Sequence, residues 1–354
     1  MGTIAIAVSS TIEWSVLVLL AIVVLTAVLS ISLNTAFAVA HDALPYLLVL
    51  GWIVLILAVI DGAWWRAGAA AALVAYHLYL IVPRFVSHGT PRWATNAATI
   101  RLVVSNVYVD NPTPDRLVAE LLAADGDIMI CAEWNERFAA AFDAADAGAI
   151  YPHQLLDEHD HSEYAVCIAS KVPLHERSAF VEVGSLKMAH AFVPCGERML
   201  SVIGIIPSAV VDPGGFSLWK TQISALAEHI PSLDIPIVLA GDFNTTRFRP
   251  EFRALLKAGL VDAHDSLGRG LSSSFRLSTD GVLSTPGTVI RLDHALLSKE
   301  VCAMEVTDLD SAGSDHLPFC VTLAVRQRQR RSARAAGPQY ASATVLADDV
   351  SGTS

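Results

Sequence analysis

The chain is 354 residues long, 53% hydrophobic, and carries 24 Lys+Arg against 35 Asp+Glu, a formal net charge of −11. That length holds a domain of about 230 residues and something more, and a mean hydropathy of +0.48 is high for a water-soluble chain. Both excesses are local. Residues 1–85 carry only Arg66, Arg84, Glu13, Asp42 and Asp61 as fixed charges, whereas residues 99–326 hold 17 Lys+Arg and 30 Asp+Glu, a charge of −13. So acidic a segment disfavours nucleic acid, which binds basic footprints, and suits a site that gathers carboxylates around a cation. The five cysteines are odd in number and show no CxxC spacing, which points away from a zinc site or a disulfide framework. Cys131, Cys167 and Cys320 lie in apolar runs and read as small core residues.

Residues 14–38 form the first apolar stretch, uncharged after Glu13 and long enough to cross a hydrocarbon core of ~30 Å as a helix. Residues 45–60 form a second, closed by Asp61 and Trp64-Trp65, and residues 67–82 a third, closed by Pro83-Arg84. Trp14, Tyr46, Trp64 and Trp65 stand where interfacial aromatic belts are expected. The first stretch lacks a basic leading region and is followed by further apolar segments, so it is not read as a cleaved signal peptide. Residues 1–86 are therefore expected to be a membrane domain with three transmembrane helices, with His77 facing a neighbouring helix or the interface. Arg66 is the only basic residue between the spans. Placing it inside puts everything after Arg84 outside, which predicts a multi-pass cell-membrane protein with an extracytoplasmic catalytic domain. Residues 87–98, with Gly89 and Pro91, read as a linker. Residues 327–354, with Arg328, Arg330, Arg331 and Arg334 and no apolar periodicity, read as a disordered basic tail.

From residue 99 short β-rich runs alternate with helical patterns. Strands are expected over 100–109, 128–131, 165–169, 179–183, 188–193, 199–205, 235–240, 289–297 and 319–325, with Cys195-Gly196 as a hairpin turn. Helices are expected over 114–124, where Leu117, Val118, Leu121 and Leu122 share a face, and over 137–145, 218–229 and 251–258. Mixed strands with interspersed helices predict two sheets stacked face to face and flanked by helices.

Acids, amides and one histidine recur where strands stop. Asn106 ends the first run, Glu133 follows Ile-Met-Ile-Cys-Ala, Asp242 and Asn244 follow Ile-Val-Leu-Ala-Gly, and Asp293 and Asp315-His316 flank the last strands. Hydrolysing a phosphate ester needs a cation on the non-bridging oxygens, a base for water, and donors for the developing charge. A buried carboxylate such as Glu133 is costly unless paired or metal-bound. Asp315 is expected as a second metal carboxylate, with Asn106 capping the metal site. Asp293 and His316 read as a carboxylate–imidazole pair, in which the acid fixes the tautomer and leaves the other ring nitrogen free as a base. Asp242 is expected to orient the attacking water and Asn244 to donate to a phosphoryl oxygen.

The motifs Gly241-Asp242-Phe243-Asn244, Leu292-Asp293-His294 and Ser314-Asp315-His316, together with Asn106 and Glu133, resemble those of the endonuclease/exonuclease/phosphatase superfamily over residues 100–325. The resemblance implies a DNase I-like four-layer α/β sandwich, here preceded by three transmembrane helices, and a Mg²⁺ or Mn²⁺ cofactor. It implies Glu133, Asp315 and Asn106 around the metal, and His316, Asp293, Asp242 and Asn244 as catalytic residues. There is one departure. The histidine usual at the end of a central strand is replaced by Ile206, and loss of one transition-state donor costs about 3–4 kcal/mol. His190 on a neighbouring strand is a candidate substitute, although a solvent-facing place is expected for it. His153, His159 and His161 lie in a polar loop at a candidate site entrance. The expected function is a membrane-anchored, divalent-metal phosphoesterase acting on a phosphodiester or phosphomonoester in a phosphorylated small molecule or lipid headgroup. The alternatives are a catalytically weak domain that binds a phosphorylated ligand or partner at the membrane, and a tethered nuclease.

Overall fold

Up to residue 85 the apolar residues are nearly continuous; beyond it they recur with the periods of strands and amphipathic helices. The computed structural model describes residues 2–157, 163–276 and 287–327. The polar loop histidines His159 and His161 and the basic tail after residue 327 lie outside the described residues.

The first apolar stretch is not one helix. Helix α1 (Gly2–Val28) stops well short of residue 38, Ser30 takes a left-handed φ of 58°, and Asn34 caps a new helix α2 (Thr35–Asp42) by accepting a hydrogen bond from the Phe37 N–H. The break has a physical cause. His41 and Asp42 need polar partners, and the turn supplies them: His41 Nε2 meets Thr26 Oγ1 at 3.1 Å and Asp42 accepts from the Thr246 N–H. After α2 the chain bends by 71° into α3 (Leu44–Leu47) and α4 (Val49–Ile60), and α5 (Trp64–Ile81) comes next. The stretches Ser10–Val28 and Trp64–Phe85 are long and apolar enough to cross a membrane, and the bent pair is a third if counted as one span. Polar groups here face other helices. Glu13 pairs with Arg66 at 3.4 Å, and the Trp52 indole donates to His77 Nδ1 at 3.1 Å.

The later residues form strands β1 (Ala98–Asn106), β2 (Ile128–Ala132), β3 (His153–Leu155), β4 (Val166–Ser170), β5 (Ala179–Val183), β6 (Leu186–Cys195), β7 (Arg198–Ile205), β8 (Ile237–Asp242), β9 (Val261–Asp262), β10 (Asp293–Leu297), β11 (Val301–Asp308) and β12 (Phe319–Val325). Between them run α6 (Pro114–Ala123), α7 (Glu136–Ala144), α8 (Ala147–Ile150), α9 (Pro213–His229), α10 (Phe252–Lys257) and α11 (Ala263–Ser266). The strands pair as β11-β12-β1-β2-β4-β3 in one sheet and β5-β6-β7-β8-β10-β9 in the other.

The sheets stack face to face. Val104, Ile130, Ile168 and Phe319 of the first share a core with Ala191, Val202, Val238 and Ala295 of the second. Leu117 and Leu121 of α6 and Phe138 and Phe142 of α7 cover the outer face of the first sheet. Trp219 and Ile223 of α9 and Phe252 of α10 cover that of the second. The result is the expected four-layer α/β sandwich. The 289–297 run becomes a strand only at Asp293, because Val289 and Ile290 are drawn to Phe275 instead. The edge strand β11 has no counterpart among the strands expected from the sequence, since Glu305 and a bulge beside it interrupt its apolar pattern. All five cysteines are free thiols.

Registers bring the strand ends together. β1 runs parallel to β2, with Asn106 opposite Ala132, and antiparallel to β12, with Val104 opposite Phe319. In the other sheet Asp242 of β8 faces Asp293 of β10 across an antiparallel pair. The N-terminal helices also touch the sandwich. Ala38 of α2 joins the cluster of Phe216 and Trp219. Asp42 accepts from the Thr246 N–H and Oγ1 at 2.9 Å, from Thr245 Oγ1 at 3.2 Å, and from the Arg249 guanidinium.

Candidate active site

Glu133 stands immediately after β2 in the left-handed region, with φ 59°. Its Oε2 accepts from the Val109 N–H at 2.8 Å and its Oε1 from Asn106 Nδ2 at 2.8 Å. The same Asn106 nitrogen donates to Asp242 Oδ2 at 3.1 Å, while Asn106 Oδ1 accepts from the Tyr108 N–H at 2.9 Å. The amide therefore bridges two acids with its nitrogen, and its oxygen has to turn over to serve as a metal ligand.

Asp242 is presented by a tight backbone approach. Gly241 has φ 138°, and a Cβ there would lie 2.1 Å from the Ile205 carbonyl oxygen, so only glycine lets β7 and β8 come this close. Asp242 Oδ1 accepts from the Asn244 N–H at 2.7 Å. Asn244, at φ 50°, donates one amide hydrogen to the Pro207 carbonyl at 2.9 Å.

Asp293 Oδ2 accepts from His316 Nδ1 at 2.7 Å and from Ser274 Oγ at 2.6 Å. The other ring nitrogen, Nε2, lies 3.8 Å from Asp242 Oδ2 and 4.0 Å from Asp315 Oδ1. Ser314 Oγ accepts from the His316 N–H at 3.0 Å and donates to the Asn106 carbonyl at 2.9 Å, tying the last loop to the first strand. The Phe275 ring, 4.9 Å from the imidazole, closes one side. Asn106, Glu133, Asp242, Asn244, Asp293, Asp315 and His316 thus gather at one end of the sandwich.

Ser274 has no signal in the sequence, being the third residue of a serine run without periodicity. Its hydroxyl accepts from the Leu292 and Asp293 N–H groups and donates to the Asp293 carboxylate. His294, next to Asp293, points to the other side of the sheet, as strand alternation requires, and meets Asp262 at 2.7 Å.

Burial alone opposes an imidazolium, but the Asp293 and Asp242 carboxylates outweigh it and push His316 up to about 10. Burial likewise opposes charge on Asp293, yet His316, and the hydrogen bonds from it and Ser274, hold this carboxyl below its usual range. Burial, with the Asp293 and Glu133 charges, pushes Asp242 up to about 7 against the pull of His316. Burial also raises Glu133 and Asp315.

These residues fit a divalent cation. One donor atom from each of Asp242, Asp293 and His316 lies within 4.8 Å of the others, a group that does not include Glu133 or Asp315, the carboxylates expected around the metal. Asp293 Oδ1 and Asp315 Oδ1 are buried without a hydrogen-bond partner, and a cation relieves the raised carboxyls of Asp242, Glu133 and Asp315. Hard carboxylate oxygens suit Mg²⁺ or Mn²⁺.

Three other residues stand elsewhere than expected or matter for what they lack. Ile206 is buried in the core between the sheets and offers no donor. His190 is not solvent-facing. It is 5% exposed, hydrogen-bonded to Ser201 at 2.8 Å, and separated from the pocket by the side of β6 that carries Ala189 and Ala191 into the inter-sheet core. His153 is not at the entrance either. It pairs with Ser170, which lies opposite Ile128 at the start of β2, whereas Glu133 follows the end of that strand.

Stacked mixed sheets with an acidic and histidine pocket at one end define a DNase I-like architecture. The sequence model of the Endonuclease/Exonuclease/phosphatase family matches residues 103–316, and the chain belongs to that family, whose enzymes are phosphodiesterases or phosphatases that use divalent metals. Among solved structures, D. rerio TDP2 complexed with single-strand DNA product is similar at TM-score 0.53 and 16% identity, covering 64% of this chain and 99% of that one. A humanized D. rerio TDP2 gives TM-score 0.52 and 17% identity over 64% and 99%. An endonuclease/exonuclease/phosphatase from Beutenbergia cavernae gives TM-score 0.49 and 16% identity over 64% and 72%. At such identities the likeness to the two TDP2 structures is one of fold. No curated protein matches the sequence.

Proposed function

We propose that the chain is a membrane-anchored phosphoesterase that hydrolyses a phosphodiester or phosphomonoester with water activated by His316. Residues 1–86 anchor it, 87–98 link, and 99–326 carry the chemistry, on the outer side of the cell membrane if Arg66 lies inside. The observation that carries this reading is the alignment of Asp293, His316 and Asp242 beside the Asn106–Glu133 pair. Asp293 accepts the Nδ1 hydrogen of His316, which leaves Nε2 as the proton acceptor on the side of Asp242. Asp242, held by the Asn244 N–H and Asn106 Nδ2, orients the water. The second amide hydrogen of Asn244 donates to a phosphoryl oxygen.

Glu133 and Asp315, with Asn106, would hold Mg²⁺ or Mn²⁺. A cation bound there neutralises phosphoryl oxygens and lowers the negative potential that holds the proton on His316. The acidic surface favours a small phosphorylated molecule or a lipid headgroup over long nucleic acid.

Ile206 favours a second reading, slow turnover with ligand binding as the main activity, because the expected donor is missing. The test is hydrolysis of bis-p-nitrophenyl phosphate by the full chain in detergent. The activity is expected to vanish with EDTA, to return with Mg²⁺ or Mn²⁺, and to be lost in His316→Ala. If wild type and His316→Ala are equally inactive on this diester and on lipid, sugar and nucleic acid phosphates, the hydrolytic reading fails and binding replaces it.

A further inference from the structure

A cavity of about 850 Å³ opens beside the site and has no part in the chemistry described above. Its inner end is formed by Asn244 and by Phe275, the ring that packs on His316. Its outer end is formed by Val39 of α2 and by Tyr46 of α3, whose hydroxyl is fastened to the Val289 carbonyl across the opening. Val211 and Val289 extend the apolar lining between them. Asp42 and Arg249 also reach this space and pair with each other through one guanidinium nitrogen, while Nε and Nη1 of Arg249 are buried without a partner. Val211 is 80% exposed and Val39 53%, so the mouth is apolar where the N-terminal helices turn away.

The size is that of small-molecule sites, about 300–1,000 Å³. The chemistry is more telling. Most of the wall is methyl groups and the Phe275 ring, with Ser273 and Thr288 bonded to each other, so a sugar or a base finds few partners there and desolvating its polar groups is costly. An alkyl chain has no such cost. The wall is also unusual in origin, since part of it belongs to the helices that lead to the membrane.

We propose that the substrate is an amphiphilic phosphate ester, a lipid whose phosphate lies among Asp242, Asn244 and His316 while an alkyl chain fills the cavity under α2. This deepens the phosphoesterase reading and rests on it. Hydrolysis of the ester leaves the chain-bearing product with its tail in the cavity and its head at the site.

The test uses the full chain in nanodiscs and p-nitrophenyl alkyl phosphates with methyl, ethyl, propyl and butyl groups, which stay in solution. Each methylene that leaves water for the cavity is expected to raise kcat/KM about fourfold, so roughly sixtyfold from methyl to butyl. In Val211→Asp, an exposed position that bears a charge without unfolding, the butyl-to-methyl ratio is expected to fall toward one. An octyl phosphonate carrying a diazirine on its chain gives a readout free of turnover. Crosslinks in the peptides containing Val211 and Val289 support the chain site, and crosslinks confined to α1, α4 and α5 overturn it. A flat chain-length series with the methyl ester still turned over overturns the lipid proposal and leaves the phosphoesterase reading intact. Crosslinks in the cavity without turnover of any ester overturn the hydrolytic reading and keep the chain site.

Discussion

Asp42→Asn asks whether α2 is bonded into the α/β sandwich or merely lies against it. Asp42 and Arg249 form a buried ion pair, with Arg249 2% exposed and stacked over Trp219, its guanidinium 4.4 Å from the ring centroid. The asparagine keeps the shape and still accepts from the Thr246 N–H. The charge opposite the guanidinium is lost. Leaving one member of a buried pair without its partner costs about 3–5 kcal/mol. For a unit of this size each kcal/mol moves Tm by about 2–4 °C, so a fall of roughly 6–20 °C is expected. The assay is thermal unfolding of the full chain in nanodiscs, monitored by tryptophan fluorescence with Trp219 beside the lesion. Arg249→Met removes the stranded charge, so the double variant is expected to be more stable than the sum of the two single losses implies. A Tm within a degree of wild type for Asp42→Asn, or strictly additive losses in the double variant, would refute the coupling.

Asp293→Asn preserves the shape of the His316 support but not its charge, and kcat is expected to fall by about 10³–10⁴ with a smaller change in KM and an unchanged fold by circular dichroism. Glu133→Gln removes a carboxylate charge next to Asn106, and the Mg²⁺ concentration for half-maximal activity, titrated after EDTA stripping, is expected to rise about 10–100-fold. Burial, helped by the His229 and Arg177 charges, pushes His190 down to about 4. The unfolded chain takes up that proton near pH 6.5 and the folded one does not. The stability His190 allows is therefore complete above pH 6.5 and lost as the pH falls toward 4, by roughly 3 kcal/mol at most. His190→Gln is expected to flatten that part of the Tm-against-pH curve, and a wild-type curve no steeper than the variant's would remove the claim.

The pocket is legible in the sequence because each strand that feeds it breaks its apolar run with a polar residue. Ile-Met-Ile-Cys-Ala before Glu133 and Ile-Val-Leu-Ala-Gly before Asp242 are such runs, and strand registers then carry the ends to one place. Ser274 is not legible, since its role depends on the loop that holds it over β10. The burial of His190 is not legible either, because it requires a layer over β6 that the local pattern does not announce. The break at Ser30 escapes hydropathy altogether. Residues 29–38 are apolar enough to continue a span, and the Asn34 cap of α2 together with the partners of Asp42, more than 200 residues away, accounts for the turn.

Those partners have a practical consequence. A chain with such an apolar N-terminal region is often cut after it and the remainder expressed, here residue 87 onward. That fragment would keep every residue of the pocket yet lose the acid that neutralises Arg249 and one side of the cavity. On that geometry a fragment starting at residue 87 carries a stranded buried guanidinium, and an unrelated N-terminal segment would not supply Asp42 either.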